Sequence, residues 1–326
     1  MTTNLLAISF FLALCFGSVE KAQPYQWTNV SSAAAYPQGY NYPVYVFNDW
    51  MVALNNGAWL SNDGKNWTKT DLPDSGLNSA YQKFVQLNGA IYSLGSMTGN
   101  YERFTITPTI LRTTDFRKWE TVAQTSNIPK RVFYGLIVFD HKIWMLGGFD
   151  GNRYHNDVWN STDGITWTRV ADKTAWSPRN AGAVTVFKKR LWMIGGGEID
   201  GEGETNPNSR NEIWSSSDGV NWRQEASRIA GDDRYVGGSI TVWDDKLWLI
   251  GANRGNEFQS GVLYSKDGKS WTEMKAPWSP RGAVAVWVFD GKLWMTGGKS
   301  SHVENGEIKF VYSNDVWAME KRSGVE

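Results

Sequence analysis

The sequence predicts an all-β fold: a six-bladed β-propeller in which the N-terminal strand closes the last blade. Three observations lead there. A unit of about 50 residues recurs along the chain. The 326 residues include 19 Trp and 33 Gly and show no long amphipathic helical pattern, a mixture that suits many short strands and turns. The last copy of the unit is incomplete, and its missing piece stands at the other end of the chain.

Taken from the N-terminus, Leu5 to Phe16 form an apolar run of the length of a signal-peptide core and too short to span a bilayer. Met1 to Asn4 carry no Lys or Arg, so only the terminal amine supplies the usual positive charge. The expected division is a signal peptide over residues 1–22, cleaved near Gly17 or Ser18 or after Ala22, one propeller over residues 23–320, and a tail over residues 321–326. The expected location is therefore extracellular or periplasmic. Cys15 is the one cysteine, and Leu14 before it is larger than lipoprotein processing wants. The mature chain would have no disulfide, so packing must hold it together.

Lys plus Arg and Asp plus Glu balance at 33 each. That removes the basic footprint of a nucleic-acid binder or a membrane-surface protein. Neither partner is expected, nor is membrane insertion.

The repeating unit reads as an apolar run, a short turn, a Leu-Trp-Met-like strand, a glycine pair, a variable loop, Asn-Asp-Val-Trp, and a Ser-x-Asp-Gly-x-x-Trp turn. Its clearest copies run from Ile137 to Trp167, Val184 to Trp222 and Ala285 to Trp317. The turn appears as Ser61, Asp63, Gly64, Trp67; as Thr114, Asp115, Trp119; and as Ser161, Asp163, Gly164, Trp167. It continues as Ser216, Asp218, Gly219, Trp222 and Ser265, Asp267, Gly268, Trp271, with the Trp residues 52, 48, 55 and 49 apart. Eight residues before each turn Trp stands Trp59, Leu111, Trp159, Trp214 or Leu263. A constant offset across a turn is a hairpin in fixed register. Tyr92, Trp144, Trp192, Trp248 and Trp294 share one strand position, with Val52 in the first copy. Most tryptophans are thus scaffold, packed between blades.

The sixth copy stops after Trp317 without a final turn and Trp. Trp27 and Thr28 match Trp67 with Thr68 and Trp167 with Thr168, so joining them to the last blade completes six equal sheets and covers the open edges of a linear array.

The pairs Gly147 and Gly148, Gly195 and Gly196, and Gly297 and Gly298, each followed by a spaced Trp and a turn Trp, resemble Kelch repeats, a family that includes galactose-oxidase-type propellers. The resemblance spans Trp27 to Trp317. Trp replaces the usual Tyr, and Leu54, and Leu94 with Gly95, stand where glycine pairs are expected in the first two copies. The turn is also similar to the Asp-box of sialidase propellers but is one residue shorter.

In a four-stranded meander, the turns joining strands one to two and three to four share one end. Here they are short. The opposite end holds long, variable segments, Ser96 to Thr109, Phe149 to Asn156, Gly197 to Asn211, Ala252 to Ser260 and Lys299 to Asn314, and any ligand is expected on that face. Arg131, Arg179 and Arg281 each precede the strand Trp by thirteen residues, and Arg234 stands in a similar place. Either they converge on a carboxylate or another anion, or they brace adjacent blades. Tyr101, Phe104, Tyr154 and Trp176 are candidate stacking residues for a sugar.

Between Gly197 and Asn211, Glu198, Asp200, Glu202 and Glu204 alternate with other residues, followed by Arg210. One reading is a solvated loop. A second is calcium, against which Ser209 stands where an EF-hand wants a bidentate Glu. The third is a resemblance: an acid after the glycine pair and an Arg before the next strand are similar to the catalytic pair of Kelch-type sialic-acid mutarotases. It implies that Glu198 moves the anomeric proton to the ring oxygen while Arg210 holds the sugar acid.

Other chemistry lacks residues. Copper chemistry of the galactose-oxidase type would need Cys15, inside the signal segment. His141, His155 and His302 are the only histidines and are spread around the ring, so no metal is expected. Sialidase chemistry has candidate tyrosines in Tyr134, Tyr154 and Tyr235 but no full-length Asp-box. The expectation is a monomeric, cofactor-free module binding carbohydrate or an extracellular protein, with sugar mutarotation as the alternative.

Overall fold

The computed structural model describes residues 23–70, 82–99, 104–116, 118–123, 127–181, 183–197, 210–230, 235–236, 238–254, 257–322 and 324. The expected signal segment lies outside them. Six antiparallel four-stranded sheets form the blades. Strand β1 (Tyr25–Ser31) comes first in the chain and belongs to the last blade.

Blade one holds β2 (Val44–Phe47), β3 (Trp50–Leu54), β4 (Ala58–Ser61) and β5 (Thr68–Thr70). Blade two holds β6 (Lys83–Leu87), β7 (Ala90–Gly99), β8 (Phe104–Thr113) and β9 (Glu120–Ala123). Blade three holds β10 (Gly135–Phe139), β11 (Lys142–Phe149), β12 (Tyr154–Ser161) and β13 (Thr168–Ala171). Blade four holds β14 (Ala183–Phe187), β15 (Arg190–Ile194), β16 (Ile213–Ser216) and β17 (Arg223–Ala226).

A short strand β18 (Tyr235–Val236) precedes blade five, which is built from β19 (Ser239–Trp243), β20 (Lys246–Ile250), β23 (Gly261–Ser265) and β24 (Thr272–Lys275). Between β20 and β23, β21 (Asn253–Arg254) and β22 (Glu257–Phe258) form a small sheet with β18. Blade six has β25 (Ala285–Phe289), β26 (Lys292–Thr296), β29 (Val316–Lys321) and, outermost, β1. A separate hairpin, β27 (Lys299–Glu304) and β28 (Glu307–Tyr312), projects between β26 and β29.

Every blade turns from its first to its second strand through two residues with positive φ: Asn48–Asp49, Asn88–Gly89, Asp140–His141, Lys188–Lys189, Asp244–Asp245 and Asp290–Gly291. Two left-handed residues make the turn whose twist matches that of the flanking strands, and Asn, Asp and Gly tolerate that backbone best. The second hairpin uses side chains instead. Ser61 Oγ accepts from the Gly64 amide at 2.9 Å, and Asp63 Oδ1 accepts from the Lys65 and Asn66 amides at 2.8 Å. Blades three, four and five repeat it with Ser161 and Asp163, Ser216 and Asp218, and Ser265 and Asp267. In blade two Thr113, not the expected Thr114, plays the part of the serine, accepting from the Phe116 amide at 2.9 Å.

β1 runs antiparallel to β29 with Trp27 opposite Met319 and Thr28 opposite Ala318. Trp27 packs edge-on against Trp278 at 4.7 Å, and Tyr25 edge-on against Trp248 of blade five at 4.8 Å. The Arg322 amide bonds to the Pro24 carbonyl, so ordered pairing runs just past the boundary expected at residue 320.

Six buried clusters fill the six blade interfaces. Each strand-two aromatic named above (Tyr92, Trp144, Trp192, Trp248, Trp294) lies in one, as a packed ring between two half-exposed sheets must.

Three of the expected loops contain paired strands, Ala252 to Ser260 holding the short β21 and β22. Ser96 to Gly99 pair with Phe104 to Thr107 as a continuation of β7 and β8, and Lys299 to Tyr312 form β27 and β28. Alternating Thr, Ile and Phe in β8 and Lys-Phe-Val-Tyr in β28 explain these two: the backbone can keep its ladder and still place unlike faces on its two sides. In blade one the glycine pair's place falls to Asn55 and Asn56, two and three residues beyond the Ala53 that follows Val52, and a tight turn through Gly57 leaves no long loop.

Candidate functional site

The face opposite the two-residue turns carries the projecting hairpins, and the candidate residues divide there into bracing and accessible groups. The entry segments before blades three, four and six each deliver an arginine. Arg131, Arg179 and Arg281 are 6%, 1% and 6% exposed. A guanidinium so buried needs a counter-charge and acceptors. Arg131 pairs with both oxygens of Asp157, Nη2 to Oδ2 at 2.8 Å, and donates to the Gly147 carbonyl at 3.2 Å. Arg281 does the same with Asp315, Nη2 to Oδ2 at 3.2 Å, and with the Gly297 carbonyl at 3.3 Å. Arg179 donates to Glu212 Oε2 at 3.0 Å, to the Gly195 carbonyl at 3.2 Å and to Ser177 Oγ at 2.7 Å.

These contacts are one repeated brace. The arginine ties the first glycine of the pair to an acid two residues before the third-strand Trp, and Trp159 and Trp317 donate back to Asp157 and Asp315 at 2.9 and 2.7 Å. Burial works to raise the Asp157 carboxyl, but the hydrogen bonds from Arg131 and Trp159 outweigh it and hold the group below the ordinary carboxylate range. Burial lowers Arg179; Glu212 opposes that shift and the charge of Arg210 adds to it. Of the two roles open to these arginines, the geometry displays bracing. Asp157, Glu212 and Asp315 were not among the candidate residues, yet the signal was present in the Asn-Asp-Val-Trp and Asn-Glu-Ile-Trp segments. In blade five Gly261 occupies the acid's position, and Arg234 lies outside the described residues.

Trp176 is not an exposed stacking residue. It is 1% exposed, packed edge-on against Trp222 at 6.0 Å. It stands three residues before the bracing arginine, as Ile128 and Trp278 do, and all three plug blade interfaces. A large apolar ring beside a buried ion pair belongs to the core, which the spacing to Arg179 would have indicated.

Tyr154 is different. Phe104, Phe149 and Tyr154 are half-exposed and form a row across the rims of blades two and three, with centroids 6.3 Å apart for Phe104 and Phe149 and 4.9 Å for Phe149 and Tyr154. Gly151 lies under this row, its missing Cβ 3.5 Å from Phe104. Beside it the Asp150 carboxylate accepts from the Asn152 and Arg153 amides at 2.8 and 2.9 Å and meets His155 Nε2 at 2.7 Å. Burial is the largest single influence and raises this carboxyl, but those amides and His155 together outweigh it, and the outcome is a pKa of about 2. A fixed anion, a largely exposed Arg153 and three aromatic faces therefore share one rim.

Glu198 and Tyr101 lie outside the described residues, as do Asp200, Glu202 and Glu204. Arg210 is half-buried, and its amide bonds to the Gly196 carbonyl at 2.8 Å. Gly197 exchanges backbone bonds with Asn180. His155 and His302 stand in blades three and six, and no cluster of three metal-ligating side chains occurs among the described residues. No described helix is long and apolar enough to cross a membrane.

No protein-family model matches the chain. The human Kelch repeat and BTB domain-containing protein 13 is 32% identical over 81 residues, 24% of this chain and 18% of that protein, so the chain spans less than a fifth of that relative's length. Among solved structures, one described as the structure of YjhT superposes with a TM-score of 0.67 at 13% identity, covering 86% of this chain and 99% of that one. At that identity the likeness speaks for the fold.

Proposed function

We propose that this Kelch-type six-bladed propeller is a secreted binding module that takes carbohydrate on its long-loop face, at the rim of blades two and three. The observation that carries the reading is the row Phe104, Phe149 and Tyr154 beside the fixed carboxylate of Asp150. Sugar rings present apolar C–H faces and polar edges. Flat aromatic surfaces next to a preset acceptor and a guanidinium complement both. Asp150 keeps its charge at any physiological pH, so it accepts from sugar hydroxyls without a protonation step.

A glycan array probed with the full chain tests this. The expected result is binding to a coherent set of glycans that Tyr154→Ala and Phe149→Ala each weaken at least tenfold, with unchanged melting temperature. Binding of no glycan, or binding indifferent to both substitutions, contradicts the reading.

A second reading is sugar mutarotation by Glu198 and Arg210. It is favoured by the anchoring of Arg210, whose amide is fastened to the carbonyl of Gly196 in the glycine pair. The proton would pass from the anomeric hydroxyl to the Glu198 carboxylate and return to the ring oxygen, with Arg210 holding a carboxylated sugar. Exchange between anomers, followed by NMR across reducing sugars and sialic acids, should then be accelerated and fall to the uncatalysed rate in Glu198→Gln. No acceleration with any sugar removes this reading.

A further inference from the structure

The hairpin β27–β28 carries the most exposed apolar side chains among the described residues. Val303 is 72% exposed and Ile308, directly opposite it, 53%. Strand alternation puts Phe310 and Tyr312 on the same face, where Tyr312 stacks on Tyr40 at 5.4 Å and Lys299 lies over the rings of Tyr40 and Phe310. This face is anchored at its base and bare toward its tip. Single exposed apolar residues are ordinary, but a contiguous stripe on a projecting element marks a contact surface.

The edges of the hairpin say what kind of contact. At the base, Lys299 bridges to Gly282 and Gly39 to Ser313. Beyond them, among the described residues, neither strand has a further partner. The edge of β28 from Glu307 to Val311 therefore presents backbone donors and acceptors beside Ile308 and Phe310, whereas the edge of β27 runs along Ser300, Ser301 and His302. The tip is acidic: Glu304 and Glu307 face each other across the turn, both exposed, and Lys309 at 2.6 Å from Glu307 is a surface pair of little strength.

We propose that β28 is a docking edge for an extended segment of a partner protein, which adds as a third strand. Its alternate apolar residues cover Ile308 and Phe310, and a Lys or Arg meets the Glu304 and Glu307 tip. The exposed stripe is one strand wide and runs beside an unpaired backbone edge, which suits a single added strand better than a second copy of the chain. The acidic tip also disfavours insertion into an anionic lipid surface. The proposal is independent of the sugar site, which lies on blades two and three.

The test is to pan a library of linear dodecapeptides displayed on phage against the full chain and to measure the enriched peptides by fluorescence polarisation. Support is enrichment of sequences with alternating apolar residues and a basic end, with at least tenfold weaker binding to Ile308→Lys and to peptides N-methylated on the pairing side. The control Ile165→Lys, on the opposite face, should bind as the parent does, as should Tyr154→Ala. Failure to enrich any peptide overturns the proposal. So does binding indifferent to both Ile308→Lys and Val303→Lys, vesicle binding lost in Ile308→Lys, or a dimer by sedimentation that Ile308→Lys dissociates.

Discussion

Gly219 of blade four lies against the indole of Trp144 of blade three so closely that a Cβ on the glycine would fall 2.1 Å from the ring. The same contact joins Gly64 to Trp294, Gly164 to Tyr92 and Gly268 to Trp192. Each turn glycine thus makes room for the strand aromatic of the preceding blade around the ring. Gly219 also has φ of +74°, a backbone that side chains rarely adopt. Gly219→Ala should therefore cost about 1–3 kcal/mol in urea unfolding, through overpacking against a rigid ring and a strained backbone.

Blade two breaks the rule in a compensating way. Phe116 replaces the turn glycine, and it shares a buried cluster with Val52, the one small residue at the strand-aromatic position. Phe116 itself has a positive φ of 59° and packs edge-on against Phe47 at 5.1 Å. Phe116→Gly alone should cost about 3–5 kcal/mol by leaving a cavity, and Val52→Trp alone should also destabilise. The double substitution restores the arrangement of the other blades. It should be more stable than the sum of the single effects by 1 kcal/mol or more, on the order of measured couplings between neighbours. Strict additivity would contradict the size exchange.

The arginine brace predicts a different signature. Arg131→Met leaves the Asp157 carboxylate buried without its counter-charge and should cost roughly 3–5 kcal/mol. Arg131→Met with Asp157→Leu removes both charges and should recover much of that loss. Chemical denaturation of the three variants checks it, and a neutral Arg131→Met would contradict the brace.

Acid should unfold the protein through its turns and braces. Asp63, Asp150 and Asp218 sit at about 2, each because hydrogen bonds outweigh the upward pull of burial, and Asp157 is lowered as well. A carboxyl whose folded value lies below its unfolded value of about 3.9 contributes stability in full above that value and loses it as pH falls through the folded one. The melting temperature should therefore drop steeply between about pH 4 and pH 2. Asp63→Asn should flatten that drop, and a melting temperature unchanged across the window would contradict it.

Much of this architecture is legible in the sequence because it repeats. Six turns of two left-handed residues, five side-chain turns and the strand aromatics recur at spacings that only a ring of similar sheets satisfies. Trp27 with Thr28 marks the partner of the last blade. The projecting hairpins are not legible as strands, since they interrupt the repeat and occur once each. Trp176 misleads because an aromatic in a loop segment reads as exposed until Arg179, three residues on, is recognised as buried. The arginines repeat at equivalent places, but a repeat alone does not reveal that Asp157, Glu212 and Asp315 come with them. Asp150 and His155 meet only through the tight turn at the end of β11.

Sugar recognition at the rim of Phe104, Phe149 and Tyr154 is the central proposal. Hydrogen exchange of the full chain, with and without a saturating glycan chosen from the array, tests it most directly. Slowed exchange confined to β8 and the β11–β12 turn, absent in Tyr154→Ala, is the expected result. Protection on the face of the two-residue turns, or none anywhere, would contradict it.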